Sequence, residues 1–553
     1  MLTNPADNLR REAIAAQARG DVAHAEDLYR ACLAIQPDDL DSQSALCAIL
    51  AHAKRFDDAI ALLKAAANTR PRLTTLLSLV DFYLAADRLE SADNLLKQIH
   101  ASVPDCGPAL LQSAQLASRR RQIDRALALF RQALDVMPGH VVAALAYARA
   151  ATESAPQDAL VVLEKLLARD DLTWQDRARL LRERAQVAER LGRRAQGLPQ
   201  WAVDAADLEM RFSQAELEAF RDAAAAWRDL APESPDAITA QVLAALALGR
   251  DIEARAAGIV LEGLDPKSLV RIVARGPAFC AEIDQPGDVA APLPPIAHVK
   301  PATFSDGPIY FLSCDYGYWI NFAGALVRSI VAAGPHAQIH LHVIDASPDQ
   351  LSAITAFALT LEGAAFAITT EVSPFQGTPR APEYYQAVRF VRFHQLLEHY
   401  RRPLCVMDVD GLMNRDVRTE IASRADCDIA LRVQPGALEP WQRFYAGMVV
   451  VWPTEAGRRY ARLVAAFIVH FYREGYLPSG IDQFALSAVY RYLGTTGQAV
   501  RLEPFSGAVI DDLSDPASCL WLQTGRRKWL KKTGAHDDGD DSRYAQAFRR
   551  FSD

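Results

Sequence analysis

The sequence predicts a chain of two fold classes, a helical-repeat solenoid followed by an α/β domain built on a largely parallel sheet. Three observations predict this. Pro37, Pro71, Pro104 and Pro138 recur at intervals of 34, 33 and 34 residues. A proline-rich stretch at 281–305, with Pro286, Pro292, Pro294, Pro295 and Pro301, breaks that rhythm. Beyond it, short apolar runs alternate with longer helical stretches, the pattern of βαβ units. At 553 residues the chain exceeds one ordinary core, so separate domains at 1–280 and 306–553 are expected.

The first domain is read from its internal period. Twelve residues before each proline stands an alanine: Ala25, Ala59, Ala92 and Ala126. Tyr29, Leu63, Leu96 and Phe130 follow four residues later, then Cys32, Ala66, Ile99 and Ala133 after three more. Small residues let two antiparallel helices approach, large ones fill the gap to the next unit, and the proline stops the second helix. This arrangement resembles the tetratricopeptide repeat. Ala159, Leu163 and Leu166 keep the offsets, with Asp171 in the proline position. A looser helix pair is expected from Asp176 to Trp201, turning at Gly192, and irregular helices or a cap over 212–280. The resemblance implies a surface for a protein partner, an acceptor or a second copy.

Composition excludes several classes. A formal charge of −8 argues against a general nucleic-acid binder. The eight cysteines are scattered without a Cys-x-x-Cys pair, which fits reduced thiols in a cytosol. The first residues carry no basic-then-apolar leader, and no apolar run approaches the ~18 residues of a membrane span. A cytoplasmic protein is expected, with peripheral membrane contact left open.

In the second domain, Pro308 to Asp315 reads as a strand, followed by a helix over 318–333 closed by Gly334-Pro335. Strands at 338–345 and 364–370 flank a helix near 348–360. A helix over 383–400 carries Arg389 and Arg392 and leads into Leu404-Cys405-Val406-Met407-Asp408-Val409-Asp410. This run reads as a buried parallel strand with two acids at its carboxyl end. Ligands of open α/β sheets bind at that end. Alternate residues of an extended chain share a face, so Asp408 and Asp410 can reach one hard cation. Further strands are expected at 428–433 and 445–453, a helix over 454–472, and another opening at Gly480-Ile481-Asp482-Gln483.

In their order, four motifs resemble GT-A nucleotide-sugar glycosyltransferases, especially the family 8-like group, over about 306–532. They are Ser313-Cys314-Asp315-Tyr316, the Arg389–Arg392 helix ahead of Asp408-Val409-Asp410, Tyr445-Ala446-Gly447, and Ile481-Asp482-Gln483. The resemblance implies Mn2+ or Mg2+ held by Asp408 and Asp410. It implies donor contacts from Ser313, Asp315, Tyr316, Arg389, Arg392, Gly447, Gln483, Gly525, Arg526 and Lys528. Asp482 would serve in acid/base work or orient the acceptor. The metal ion and cations would stabilise the departing diphosphate. One departure stands out: the family's late metal-binding histidine falls on Leu522, which cannot coordinate. Bland readings remain beside the functional ones: Asp315 as a strand-end turn, Arg389 as an ion-pair brace, Asp482 as a helix cap, Gly447 as packing relief. The rival functions are a repeat scaffold with a degenerate transferase domain and a nucleotidyltransferase. The latter needs a glycine-rich loop that Asp315-Tyr316-Gly317-Tyr318 does not provide.

Overall fold

The computed structural model describes residues 5–120, 122–152, 154–195, 213–266, 268–285, 287, 289–434, 437, 439–506, 509–511, 516–522 and 543–552. The chain divides into two compact units, Met1–Leu172 and Thr173–Asp553.

The first unit is a run of antiparallel helix pairs. They are α1 (Pro5–Ala18) with α2 (Val22–Ile35), α3 (Leu40–His52) with α4 (Phe56–Thr69), α5 (Leu73–Ala85) with α6 (Leu89–Ser102), α7 (Gly107–Arg119) with α8 (Ile123–Val136), and α9 (Val141–Ala151) with α10 (Pro156–Leu167). The repeated alanines 25, 59, 92, 126 and 159 are fully buried on the second helix of each pair, where a larger side chain would force the helices apart. Tyr29, Leu63, Leu96, Phe130 and Leu163 are buried beside them.

Each recurring proline sits two residues past its helix, and its ring drives the preceding residue out of the helical region. Gln36, Arg70, Val103 and Met137 accordingly have φ of −130°, −152°, −139° and −126°. After α10, which lacks the proline, Ala168 stays helical at φ −71°. The turn inside a pair uses one left-handed residue: Gly20, Lys54 or Asp87, with φ of 80°, 57° and 54°.

In the second unit, α11 (Trp174–Ala195) is one continuous helix. It runs through Gly192, so the expected turn there is corrected: one glycine costs a helix only about 1 kcal/mol. Next come α12 (Gln214–Leu230), α13 (Pro235–Ala247), α14 (Asp251–Leu264), α15 (Val270–Ala274) and α16 (Gly276–Ile283). The α13–α14 turn has the repeat geometry, with Gly249 at φ 69° and Arg250 at φ −88°, ψ 65°. These helices share one core with the sheet, since Ile238, Leu261 and Phe279 belong to the same buried cluster as Phe311, Val406 and Phe467. The compact division therefore lies at 172/173, ahead of the proline-rich stretch.

That stretch is also structural. It contributes β1 (Ala297–Lys300), antiparallel to β4. The strands that follow are β2 (Ile309–Asp315), β3 (Gln338–Ile344), β4 (Ala365–Glu371), β5 (Leu404–Met407), β6 (Gly411–Met413), β7 (Ile429–Val433), β8 (Phe444–Val451), β9 (Leu502–Pro504), β10 (Ile510–Asp511) and β11 (Leu520–Leu522). The main sheet has the order β1-β4-β3-β2-β5-β8-β7-β9. Its β4-β3-β2-β5 centre is parallel and β8 runs antiparallel to both neighbours. A small second sheet, β10-β11-β6, follows the main sheet's central strand.

Helices cover both faces. The relevant ones are α17 (Tyr316–Tyr318), α18 (Gly324–Ala333), α19 (Pro348–Leu359), α20 (Ala381–Tyr400), α21 (Arg418–Ala422), α22 (Pro440–Arg443), α23 (Glu455–Arg473), α24 (Ile481–Thr495) and α25 (Arg543–Ser552). Ile309 and Phe311 of β2 face α20, α23 and α24, while Tyr310, Leu312 and Cys314 face α18 and α19. No helix of the described residues is long and apolar enough to cross a membrane.

Candidate functional site

The parallel centre positions the site. β2 is followed in sequence by β3 and β4 on one side and by β5 on the other, so the strand order reverses between β2 and β5. The chain leaves β2 through α17 and α18 on one face of the sheet and enters β5 from α20 on the other. Open α/β sheets take their ligands at such a reversal, in the crevice outside the carboxyl ends. Register pairs Leu312 with Met407, which puts Asp315 and Asp408 at the two lips.

Asp408 and Asp482 are brought together by one guanidinium. Arg389, on the buried side of α20, donates from Nη1 to Asp408 Oδ1 and from Nη2 to Asp482 Oδ2, the latter at 2.6 Å. Arg389 is 5% exposed and Asp482 is fully buried, whereas the Asp408 side chain keeps 30% of its surface. Burial works to lower the affinity of Arg389 for its proton, but the charges of Asp408 and Asp482 outweigh it, and the guanidinium is held firmly ionised. The backbone N–H of Asp408 donates to the Gly447 carbonyl at 2.8 Å, tying the lip to β8.

Asp482 does not cap its helix. Gly480, at φ 83°, is the entry residue of α24, and Asp482 lies in the first turn with Oδ1 accepting from Gln483 N at 2.9 Å. A proton-transfer group must reach its substrate. Asp482 is fully buried and its carboxylate is bound to Arg389, so in this structure it positions that arginine. Gln483 is half-buried on the same turn.

Arg392, one turn beyond Arg389, is 1% exposed and engaged internally. Its Nε donates to Glu371 at 2.5 Å, Nη1 to Gln395 at 2.8 Å and Nη2 to the Pro294 carbonyl at 2.6 Å. It thereby clamps α20 to the end of β4 and to the proline-rich stretch.

Sequence reasoning missed the buried network this clamp belongs to. Tyr384 donates to Glu371 at 2.7 Å, and the Thr369 hydroxyl bridges His340 Nε2 at 2.8 Å and His342 Nδ1 at 2.9 Å. Tyr400 reaches His340 Nδ1 at 2.7 Å. Burial, with His342, His298 and His399 nearby, pushes His340 down to about 3. Burial would raise Glu371, yet the contacts from His342, Arg392 and Tyr384 together hold it low. The alternation His340-Leu341-His342 in a strand was the available signal, because it puts both rings on one face.

Ser313 is buried on β2, its Oγ lacking a hydrogen bond among the described residues. Asp315 Oδ1 accepts from Tyr318 N at 2.7 Å and so caps the helical turn that follows. Tyr316 packs partly buried against the core on the α18 face. Gly447 leaves room for Leu522: a Cβ there would meet Leu522 Cδ1, and that side-chain end would have to shift. Leu522 itself pairs with Gly411 and stands beside Asp408. Asp410 is 3% exposed in the turn after β5, its carbonyl accepting from Tyr544 of α25 at 3.0 Å. Gly525, Arg526 and Lys528 lie outside the described residues.

The fit of a divalent ion follows from these positions. Asp408 is engaged by Arg389, its neighbour Leu522 is apolar, and among the described residues no three His, Cys, Asp or Glu side chains form a metal-holding group. The described residues do not complete an ion site.

Comparison with known proteins bears on the first unit. The tetratricopeptide repeat family profile matches residues 16–76. Solved structures similar to the chain include a thermophilic tetratricopeptide-repeat protein of Thermus thermophilus, 21% identical, covering 32% of this chain and 98% of its own, TM-score 0.28. Another is a tetratricopeptide repeat protein from Parabacteroides merdae, 16% identical, covering 49% and 96%, TM-score 0.30. A third is PilW, a type IV pilus biogenesis factor, 13% identical, covering 38% and 84%, TM-score 0.28. No curated protein matches the chain. The N-terminal unit carries tetratricopeptide repeats.

Proposed function

We propose that the second unit is a GT-A-type transferase that takes a sugar from a nucleoside diphosphate donor lying across the ends of β2 and β5. The observation that carries this reading is the strand-order reversal between β2 and β5, with Asp315 and Asp408 at the strand ends and Arg389 bound between Asp408 and Asp482. Leu522 beside Asp408 supports it further, because the resemblance puts its closing segment there. In this reading the Arg389 pair holds the β5 lip and the first turn of α24 in one geometry. The donor diphosphate would lie along that lip, with Gln483 near its sugar. The tetratricopeptide repeats are read as the surface that recruits a protein partner, an acceptor or a second copy.

The test is release of nucleoside diphosphate from a panel of nucleotide sugars by the full chain, with and without Mn2+ and Mg2+. Turnover of one donor that Asp408→Ala abolishes supports the proposal. Absence of binding and turnover across the panel refutes it.

A specific observation favours a second reading, a repeat scaffold whose transferase domain is degenerate. Both arginines of α20 are engaged by internal carboxylates rather than aimed at a ligand. The same panel separates the two, since a scaffold shows no donor-dependent product.

A further inference from the structure

The carboxylate that resemblance offers as a metal ligand already has other duties. Asp408 Oδ1 accepts from Arg389, whose other amino group is bound by the buried Asp482. Asp408 Oδ2 faces the opposite side, where a Cβ on Gly447 would lie 3.6 Å from it and would collide with Leu522 Cδ1. One oxygen is therefore taken up by a guanidinium, and the other lies on the side of Gly447 that Leu522 packs against. Mn2+ and Mg2+ are hard ions that need a nearly full shell of oxygen or nitrogen ligands. Leu522, where the resemblance puts a histidine, offers no ligand atom. A divalent ion at Asp408 would also stand beside a buried, permanently charged arginine. Asp410 cannot swing in freely, being buried, with its backbone held by Tyr544.

We infer that Asp408 anchors the Arg389–Asp482 pair instead of ligating a divalent ion, and that a nucleoside diphosphate binds this crevice without Mn2+ or Mg2+ at Asp408. The nucleotide half rests on the proposed function above; the ion half stands by itself. In this arrangement Arg389 is a positioning residue that links the end of β5 to the first turn of α24.

Two measurements on the full chain decide the matter. In the first, Mn2+ is titrated and its free ion is followed by electron paramagnetic resonance. The expected result is no bound ion that depends on Asp408, so that the wild-type chain and Asp408→Asn give the same curve. One bound Mn2+ per chain, lost in Asp408→Asn, overturns the inference. Leu522→His restores a ligand beside Asp408 and is expected to tighten Mn2+ binding by more than the ~10-fold that orienting neighbours alone supply. A wild-type chain that already binds as tightly as Leu522→His overturns it as well.

In the second, the melting temperature is recorded with UDP or GDP, in EDTA and in Mn2+. An equal upward shift in both supports the inference, and a shift found only with Mn2+ overturns it. No shift in either refutes the proposed function and the nucleotide half with it, while the Mn2+ titration still decides the role of Asp408.

Discussion

Replacing Arg389 with methionine tests the core of the site. The substitution keeps much of the side-chain volume and removes the charge. It leaves Asp482, fully buried, without its cation. Breaking a buried ion pair from one side costs about 3–5 kcal/mol, because the remaining charge stays uncompensated. Asp408→Asn is the contrast: that side chain is 30% exposed, so water takes over part of the lost interaction and about 1 kcal/mol is expected. Adding Asp482→Leu to Arg389→Met should recover most of the penalty, since no buried charge is then left over. Urea unfolding followed by tryptophan fluorescence measures all of this. The first of the eight tryptophans is Trp174, so the signal reports the second unit alone. Arg389→Met no more harmful than Asp408→Asn, or strictly additive with Asp482→Leu, would refute the argument that these three residues act as one electrostatic unit.

Three further outcomes are expected. His340, held down at about 3 in the fold against 6.5 unperturbed, stays neutral where the unfolded chain takes up a proton. Its contribution is complete above about pH 6.5 and is lost as pH falls toward 3, by about 1.4 kcal/mol per pH unit. His340→Gln should flatten the urea-midpoint profile over that range, and an unchanged slope places the titration on another group. Ala92→Leu overfills the fully buried contact inside the third helix pair and should cost about 1–3 kcal/mol. It should lower the far-ultraviolet circular dichroism transition of the repeat unit while leaving the tryptophan transition in place; a shift of both refutes independent unfolding. Tyr544→Phe removes the hydroxyl that donates to the Asp410 carbonyl, worth about 1 kcal/mol. Hydrogen exchange in the 409–413 turn should rise, and unaltered protection there means that the turn is held by other contacts.

What could be read from the residues was local. The alanine and proline spacing is confined to single helix pairs, so side-chain size and the missing proline N–H dictate it directly. Asp315 and Asp408 were legible because a short apolar run followed by an acid marks a strand end. Long-range partners were not legible: Arg389 and Asp482 are 93 residues apart. Nothing near either residue distinguishes a ligand-facing charge from one bound internally. The internal partners of Arg392 were hidden for the same reason, since Glu371 and the Pro294 carbonyl come from a strand and a connecting stretch far from it in sequence. Leu522 was correctly seen as unable to coordinate, but only the pairing of β11 with β6 brings it to Asp408. Gly192 shows the reverse failure, where a residue read as punctuation lies inside a regular helix, because a single glycine costs only about 1 kcal/mol.

The proline-rich stretch looks like a natural place to cut the chain, and β1 makes it a poor one. A fragment starting at residue 306 would strip Ala297–Lys300 from β4 and leave that strand's N–H and C=O groups open to any passing chain. It would also discard Pro294, which receives the guanidinium of Arg392, and the Phe279 ring packed 5.4 Å from Phe467. Expression trials of the second unit should therefore begin ahead of Trp174. A shorter fragment that precipitates would then report a bared sheet edge and a halved core, and would say nothing about the chemistry of the crevice.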